Sequence, residues 1–136
     1  LKVVLRPSSG SEIPYLTKKV PGFEAAIATA RKRPGVPVGI TDHMNLDIAE
    51  QMDGVLAITT LLQIRSEKKE LSPVSLDGIE ASVETLRSGR YPFPIKVCVI
   101  AKKGKLSVDI EILLGHLKHP TTASLLESYG AVPVEP

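Results

Sequence analysis

The sequence has one cysteine, no tryptophan and only 4% aromatic residues in 136 residues. A single cysteine, Cys98, excludes a disulfide within the chain. It lies in the apolar run Ile95–Ala101, so we expect a buried, unreactive thiol. The scarcity of aromatic side chains removes the platforms on which nucleic-acid bases stack. The remaining composition, with 43% hydrophobic residues, is that of an ordinary globular domain.

Charge of one sign is also lacking, since the formal net charge is +2. Basic residues cluster only at 31–33 and 102–105, which makes no stripe for a phosphodiester backbone. We therefore expect no nucleic-acid partner. No apolar run reaches the roughly 20 residues of a membrane span, and no signal-peptide pattern is present. The sequence begins at Leu1, inside a predicted strand, so we expect a fragment of a longer protein.

The sequence lacks the common motifs of catalysis and nucleotide binding: the Walker A lysine loop, Gly-x-Gly-x-x-Gly and Gly-x-Ser-x-Gly. His116 and His119 are three residues apart but have no cysteine or carboxylate at ligand spacing beside them. His43 follows Asp42 at a predicted helix start, where a capping role is the simpler interpretation. We expect no catalytic residues, no metal site and no cofactor.

Strand-like and helix-like segments alternate, which predicts an α/β fold with a mixed, mostly parallel sheet. The predicted helices cover 12–19, 23–30, 42–52, 60–66, 79–88, 107–117 and 121–129, and the predicted strands cover 2–6, 55–58 and 95–101. Thr41 or Asp42 is the expected cap of the third helix, and Thr121 or Thr122 that of the last. An Asp77-Gly78 turn is also predicted.

The segment Arg6-Pro7-Ser8-Ser9-Gly10-Ser11 follows the first predicted strand and leads into the first helix. A glycine allows close backbone approach, hydroxyls and helix N-terminal N–H groups donate, and an arginine matches two oxygens of an anion. The segment therefore predicts a binding site for an oxyanion. A capped turn, with Ser9 or Ser11 as the cap and Arg6 in solvent, explains the same residues.

Thr59-Thr60 follows the second predicted strand in the same way. Ligands of open α/β sheets bind beyond the carboxyl ends of the strands, so these hydroxyls belong to the predicted anion site. Helix capping is the alternative here as well. The predicted anion-binding residues are Arg6, Ser8, Ser9, Gly10, Ser11, Thr59 and Thr60.

The order of these segments resembles that of periplasmic phosphate-binding proteins, the solute receptors of ABC importers. The Arg6–Ser11 segment is similar to their R-x-x-x-S-G-T loop, and Gly54–Ile58 to their G-A-I-G-Y segment. Ser88–Pro92 is similar to their G-x-Y-P segment, and Gly130–Pro133 to a terminal G-x-V-P. Three departures stand out: the first loop is one residue shorter, Ser11 replaces threonine, and Ala57-Ile58 replaces Gly-Tyr.

The resemblance implies a three-layer αβα lobe of the type II periplasmic-binding-protein fold, with residues 1–136 as one lobe of a two-lobed receptor. Residues 1–94 would be the second lobe, and 95–136 the return strand and C-terminal helices. It also implies that Arg6, Ser9, Gly10 and Ser11 bind the anion, and that strands 2–6 and 95–101 lie side by side.

The resulting hypothesis is a solute-binding domain for phosphate or a related oxyanion, outside the cytoplasm, whose partners are the membrane subunits of an ABC importer. A cytoplasmic sensor or regulatory domain for a small ligand is the alternative, and an enzyme on the same fold is disfavoured by the missing base–nucleophile pair. The apolar stripe of the helix near residue 110, which consists of Leu106, Ile110, Leu113, Leu114 and Leu117, predicts a homodimer through the C-terminal helices.

Overall fold

The computed structural model describes residues 1–102 and 104–134. It divides into two compact units, Leu1–Ser72 and Pro73–Pro136. Each unit is considered by itself below. The predicted boundary between residues 94 and 95 separates the second lobe of a larger receptor from its return strand and C-terminal helices. It stays a prediction.

The first unit combines four helices with two short strands. Their bounds are β1 Lys2–Val3, α1 Glu12–Lys19, α2 Phe23–Arg31, α3 Asp42–Gln51, β2 Val55–Leu56 and α4 Leu61–Ser66. Each helix lies where the sequence pattern predicted one. Both strands lie within their predicted segments but are shorter.

The two strands pair in parallel, with Lys2 opposite Val55 and Val3 opposite Leu56. The pairing continues to Val4, whose N–H donates to the carbonyl of Leu56 at 2.9 Å. The next residue, Leu5, forms a parallel bridge with Val38 instead. Since parallel strands end at the same edge of a sheet, the segments that follow β1 and β2 leave the sheet at a common edge.

The core of this unit is small and contains Val4, Leu5, Leu46 and Ala49. The first two continue β1, and the other two come from α3. Gly39 lies against α3 so closely that a Cβ placed on it would be 2.5 Å from the Cα of Asn45. Only a glycine therefore fits at this approach, and it fixes the start of α3 beside the end of β1.

Two helix starts are capped by threonines, in accord with the sequence. The hydroxyl of Thr41 accepts from the N–H of Met44 at 3.1 Å, and that of Thr60 accepts from Gln63 at 3.2 Å. Each cap satisfies a donor that the first helical turn leaves unpaired. The capping alternative for Thr60 is thus confirmed.

The second unit contains α5 Val83–Arg87, α6 Val108–Leu117 and α7 Pro120–Ser128. Leu76 and Ile79 form an antiparallel bridge around the predicted Asp77-Gly78 turn. Both turn residues have positive φ, 50° and 77°, as a type I′ hairpin turn requires. Because Ile79 belongs to this bridge, the predicted helix start at Ile79 is wrong, and α5 begins at Val83.

The strand predicted at 95–101 is wrong, because these residues form no regular element and all are exposed. The exposed fraction reaches 80% at Val97 and 92% at Ile100. Cys98 is exposed too, so the expectation of a buried thiol is also wrong. Within the described residues the one sheet consists of β1 and β2, so the prediction that 95–101 is a strand of the same sheet as 2–6 is wrong.

The last helix begins earlier than predicted. His119 is its N-cap, with Nδ1 accepting from the N–H of Thr121 at 3.3 Å, and Pro120 occupies the first helical position. Proline suits that position because its missing N–H would have no helical partner there. Thr121 and Thr122 therefore lie inside the first turn and do not cap the helix.

The chain thus combines helices with a pair of parallel strands, as the predicted mixture of helix and strand requires. Among the described residues, no helix has the length and apolar character needed to cross a membrane.

Candidate anion site

Arg6 is the centre of the candidate site. It directly follows Leu5, which is buried and forms a parallel bridge with Val38. Arg6 therefore lies beyond the carboxyl end of β1. Its side chain is only 10% exposed. The expectation that Arg6 points into solvent, as in a simple capped turn, is therefore wrong.

Each nitrogen of the Arg6 guanidinium donates a hydrogen bond. Nε donates to Oε1 of Glu12 at 2.9 Å, and Nη1 donates to the carbonyl of Gly39 at 2.9 Å. Nη2 donates to Oδ1 of Asp42. Two carboxylates and one carbonyl thus surround a guanidinium that is mostly removed from solvent, and these contacts offset the cost of that desolvation.

The turn between Arg6 and α1 has the compact form that the sequence suggested. The N–H of Gly10 donates to the carbonyl of Pro7 at 3.0 Å, and that of Ile13 donates to Gly10 at 3.1 Å. A Cβ placed on Gly10 would lie 2.5 Å from Oε1 of Glu12. Because glycine has no Cβ, a carboxylate oxygen can lie close to the backbone here. The sequence predicts the same close approach for an oxygen of a bound anion.

The three predicted serines lie in and directly after this turn. Ser8 and Ser9 lie in the turn and are exposed, as is Ser11. Ser11 is the N-cap residue of α1, but its side chain makes no capping hydrogen bond. The capping explanation of this serine is thus wrong, and its hydroxyl faces water at the start of α1.

A second arginine, Arg31, is hydrogen-bonded to the backbone of this segment. Nη2 of Arg31, in the last turn of α2, donates to the carbonyl of Arg6 at 2.6 Å. Together, Arg6, Arg31, Glu12 and Asp42 carry formal charges that balance. The local field therefore neither strongly attracts nor repels an anion, and any affinity depends on specific donors near Arg6.

Thr59 and Thr60 use their hydroxyls within their own segment. Thr60 caps α4, and the hydroxyl of Thr59 donates to Oε1 of Gln63 at 3.1 Å. The amide of Gln63 then donates to Glu67 at 2.8 Å. Within the described residues, no hydrogen bond joins these threonines to Arg6 or to the serine turn.

This second network extends to a histidine. Nδ1 of His43 lies 2.9 Å from the same Oε1 of Glu67. The hydrogen bond from Gln63 is the main reason that the pKa of Glu67 is lowered, and His43 lowers it further. Glu67 therefore holds its negative charge to lower pH than an ordinary glutamate, which disfavours a second anion beside Thr59.

Asn45 links the two strand ends. Its Nδ2 donates to the carbonyl of Ile58, the residue before Thr59, at 2.9 Å. Its backbone lies against Gly39, whose carbonyl accepts from Arg6. Thus a continuous path of contacts runs from Arg6 to the segment after β2. Oδ1 of Asn45 is buried and has no hydrogen-bond partner among the described residues.

Sequence reasoning missed the acidic partners of Arg6 and the buried amide. Glu12 follows Gly10 by two residues, so a local signal existed, since a side chain at that position can fold back over the turn. The sequence predicts Asp42 only as an alternative cap of α3. Nothing in the sequence marked Asn45, because its role depends on the approach of Gly39, which is distant along the chain from Ile58.

An open cavity of about 380 Å³ lies beside α1 and α2. Of the predicted site residues, Ser8 lines it, together with Thr17, Lys18 and Glu24. Among the described residues, no group of three or more histidine, cysteine or acidic side chains is placed to hold a metal ion.

Comparison of this chain with protein-family models, with curated proteins and with solved structures gave no match. The assignment of a function therefore depends on the geometry around Arg6 and on the sequence resemblance alone.

Proposed function

We propose that this chain is a solute-binding lobe that recognises phosphate or a related oxyanion and catalyses no reaction. In this proposal it is a three-layer lobe of the type II periplasmic-binding-protein fold and one half of a two-lobed receptor. The receptor would act outside the cytoplasm and deliver its solute to the membrane subunits of an ABC importer.

One observation supports the proposal: a carboxylate of the chain itself pairs with Arg6 at the turn before α1. The carboxylate of Glu12 accepts from Nε of Arg6 and lies against the Cα of Gly10, in the turn before α1. The cation, the close backbone approach and the start of a helix are the three features expected of an oxyanion site. In the proposed site, an oxygen of a free anion would take the position of the Glu12 carboxylate.

The same geometry limits the affinity. Two of the guanidinium's partners are carboxylates of the chain itself, and the turn serines face solvent. In a two-lobed receptor the other lobe would supply the remaining ligands. We therefore expect this chain alone to bind inorganic phosphate with a dissociation constant in the millimolar range, equivalent to about −4 kcal/mol.

The experiment is a titration of the full chain with inorganic phosphate, followed by ¹⁵N–¹H correlation spectra. We expect the N–H signals of Gly10, Ser11 and Arg6 Nε to shift together. Arg6→Lys keeps the charge but removes the planar fork, so it should weaken binding at least tenfold. Arg33→Lys, at an exposed position, is the matched control.

Equal binding by Arg6→Lys and the unmodified chain would contradict the proposed site. Micromolar binding would contradict the expectation that half of the site is missing, because it would show a complete set of ligands in this chain.

A further inference from the structure

The ion pair between Arg6 and Glu12 is largely enclosed. The two side chains are 10% and 14% exposed, whereas Asp42, the other acidic partner, is 68% exposed. Glu12 therefore takes the hydrogen bond of Arg6 Nε and lies close to the backbone at Gly10. A free anion can reach these groups only after the Glu12 carboxylate has left.

We propose that Glu12 is an internal competitor, which must be displaced before an oxyanion binds at Arg6 and which excludes simple monocarboxylates. The inference depends on the proposed oxyanion site and adds a selection rule to it. The glutamate is six residues from the arginine along the chain and behaves as a tethered ligand of the same chemical class as acetate.

The selection follows from effective concentration. A tethered group competes as if present at about millimolar concentration or above, without any loss of translational freedom on binding. A free monocarboxylate makes the same charge-assisted hydrogen bond as Glu12 but has no such advantage. A hydrogen phosphate dianion carries more charge and more acceptor oxygens, so it can replace the carboxylate where acetate cannot.

The remaining partners explain why Arg6 would stay in place during the exchange. Nη1 is held by the backbone carbonyl of Gly39, which is fixed by its approach to Asn45. Nη2 is held by Asp42, the first residue of α3. Glu12 is the first residue of α1, and its side chain can rotate into solvent while the N–H of Ile13 keeps its bond to Gly10.

Glu12→Gln tests the inference, because it keeps the shape and the acceptor oxygen but removes the charge. We expect this variant to bind inorganic phosphate at least tenfold more tightly than the unmodified chain and to bind acetate measurably in the same titration. Glu84→Gln is the control, since Glu84 pairs with Arg90 on the exposed surface of the second unit. It changes the net charge equally and should leave both affinities unchanged.

Glu12→Asp provides a second variant, with the charge kept and the reach shortened. It should bind phosphate with an affinity between those of the other two chains, and far-ultraviolet circular dichroism should show that all variants are folded. A phosphate affinity that is the same with and without Glu12→Gln would overturn the inference and leave the proposed function intact. If no folded variant shifts the Gly10 and Arg6 signals, both are wrong. A gain for phosphate with no acetate binding would overturn the selection rule.

Discussion

The side-chain amide of Asn45 donates to the carbonyl of Ile58 at 2.9 Å and joins α3 to the segment that follows β2. Asn45 is buried, and its Cα lies against Gly39. This one residue therefore connects the two places where the parallel strands leave the sheet. The position of Arg6 relative to Thr59 depends on it.

We expect Asn45→Ala to lower the free energy of unfolding by about 1–3 kcal/mol, because the carbonyl of Ile58 loses its donor in a half-buried environment. Urea titration followed by circular dichroism measures the change. Gln51→Ala, at the exposed end of the same helix, should change the value by less than about 0.5 kcal/mol. Equal effects of the two substitutions would contradict the role given to Asn45.

Features that depend only on neighbouring residues were predictable from the sequence. The sequence offered Thr41 as one of two caps for α3 and capping as the alternative for Thr60, because a cap needs only the three residues that follow it. The Asp77-Gly78 turn was predicted for the same local reason. Helix bounds were accurate in the first unit, where glycines and prolines separate the apolar repeats.

Features that depend on distant partners were predicted poorly. The run at 95–101 has strong strand propensity, but a strand forms only with a neighbouring strand, and none pairs with it among the described residues. The sequence gave no indication that Arg6 pairs with Asp42, because 36 residues separate the two. Burial of Arg6 followed from those partners and not from its own segment.

The acidic limb of the pH–stability profile should depend on Lys69. A hydrogen bond from the backbone of Glu70 is the main cause that lowers the pKa of Glu50, and the hydrogen bond from Lys69 at 3.0 Å lowers it further. A carboxyl group whose pKa is lower in the folded than in the unfolded protein stabilises the fold at pH values above its unfolded-state pKa. This stabilisation is lost as the pH falls through its folded-state pKa. The pKa of Lys69 is raised, first by Asp47 and then by Glu50.

We therefore expect Lys69→Met to raise the pKa of Glu50 part of the way toward its ordinary value, since the bond from Glu70 remains. Carboxyl NMR titration measures this directly, and stability should fall less steeply with acid in the variant. Lys32→Met, at an exposed position after α2, serves as the control. An unchanged Glu50 titration would show that Lys69 does not contribute.

Cys98 should react rapidly with a thiol reagent in the folded protein. The residue is exposed, and its neighbours Val97 and Val99 are exposed as well. Reaction with dithionitrobenzoate should therefore proceed at a similar rate in buffer and in concentrated urea. A rate that is at least tenfold slower in buffer would mean that the segment 95–101 is covered in solution.

The last prediction concerns assembly through the C-terminal helices. Ile110, Leu113 and Leu117 of the predicted apolar stripe are exposed on α6 within their unit. Burying an aliphatic side chain contributes about 1.5–3 kcal/mol, so leaving the stripe in water forgoes on the order of 5–10 kcal/mol, and large exposed apolar patches are uncommon on monomers. We therefore expect a homodimer at micromolar concentration, with twice the chain mass of 14.6 kDa by size-exclusion chromatography with light scattering.

Leu113→Lys should weaken the dimer at least tenfold, because a charge then replaces an apolar side chain in the interface. Lys96→Met, on the exposed segment before α6, should leave the dimer unchanged. A single species of 14.6 kDa in the unmodified chain would contradict the dimer.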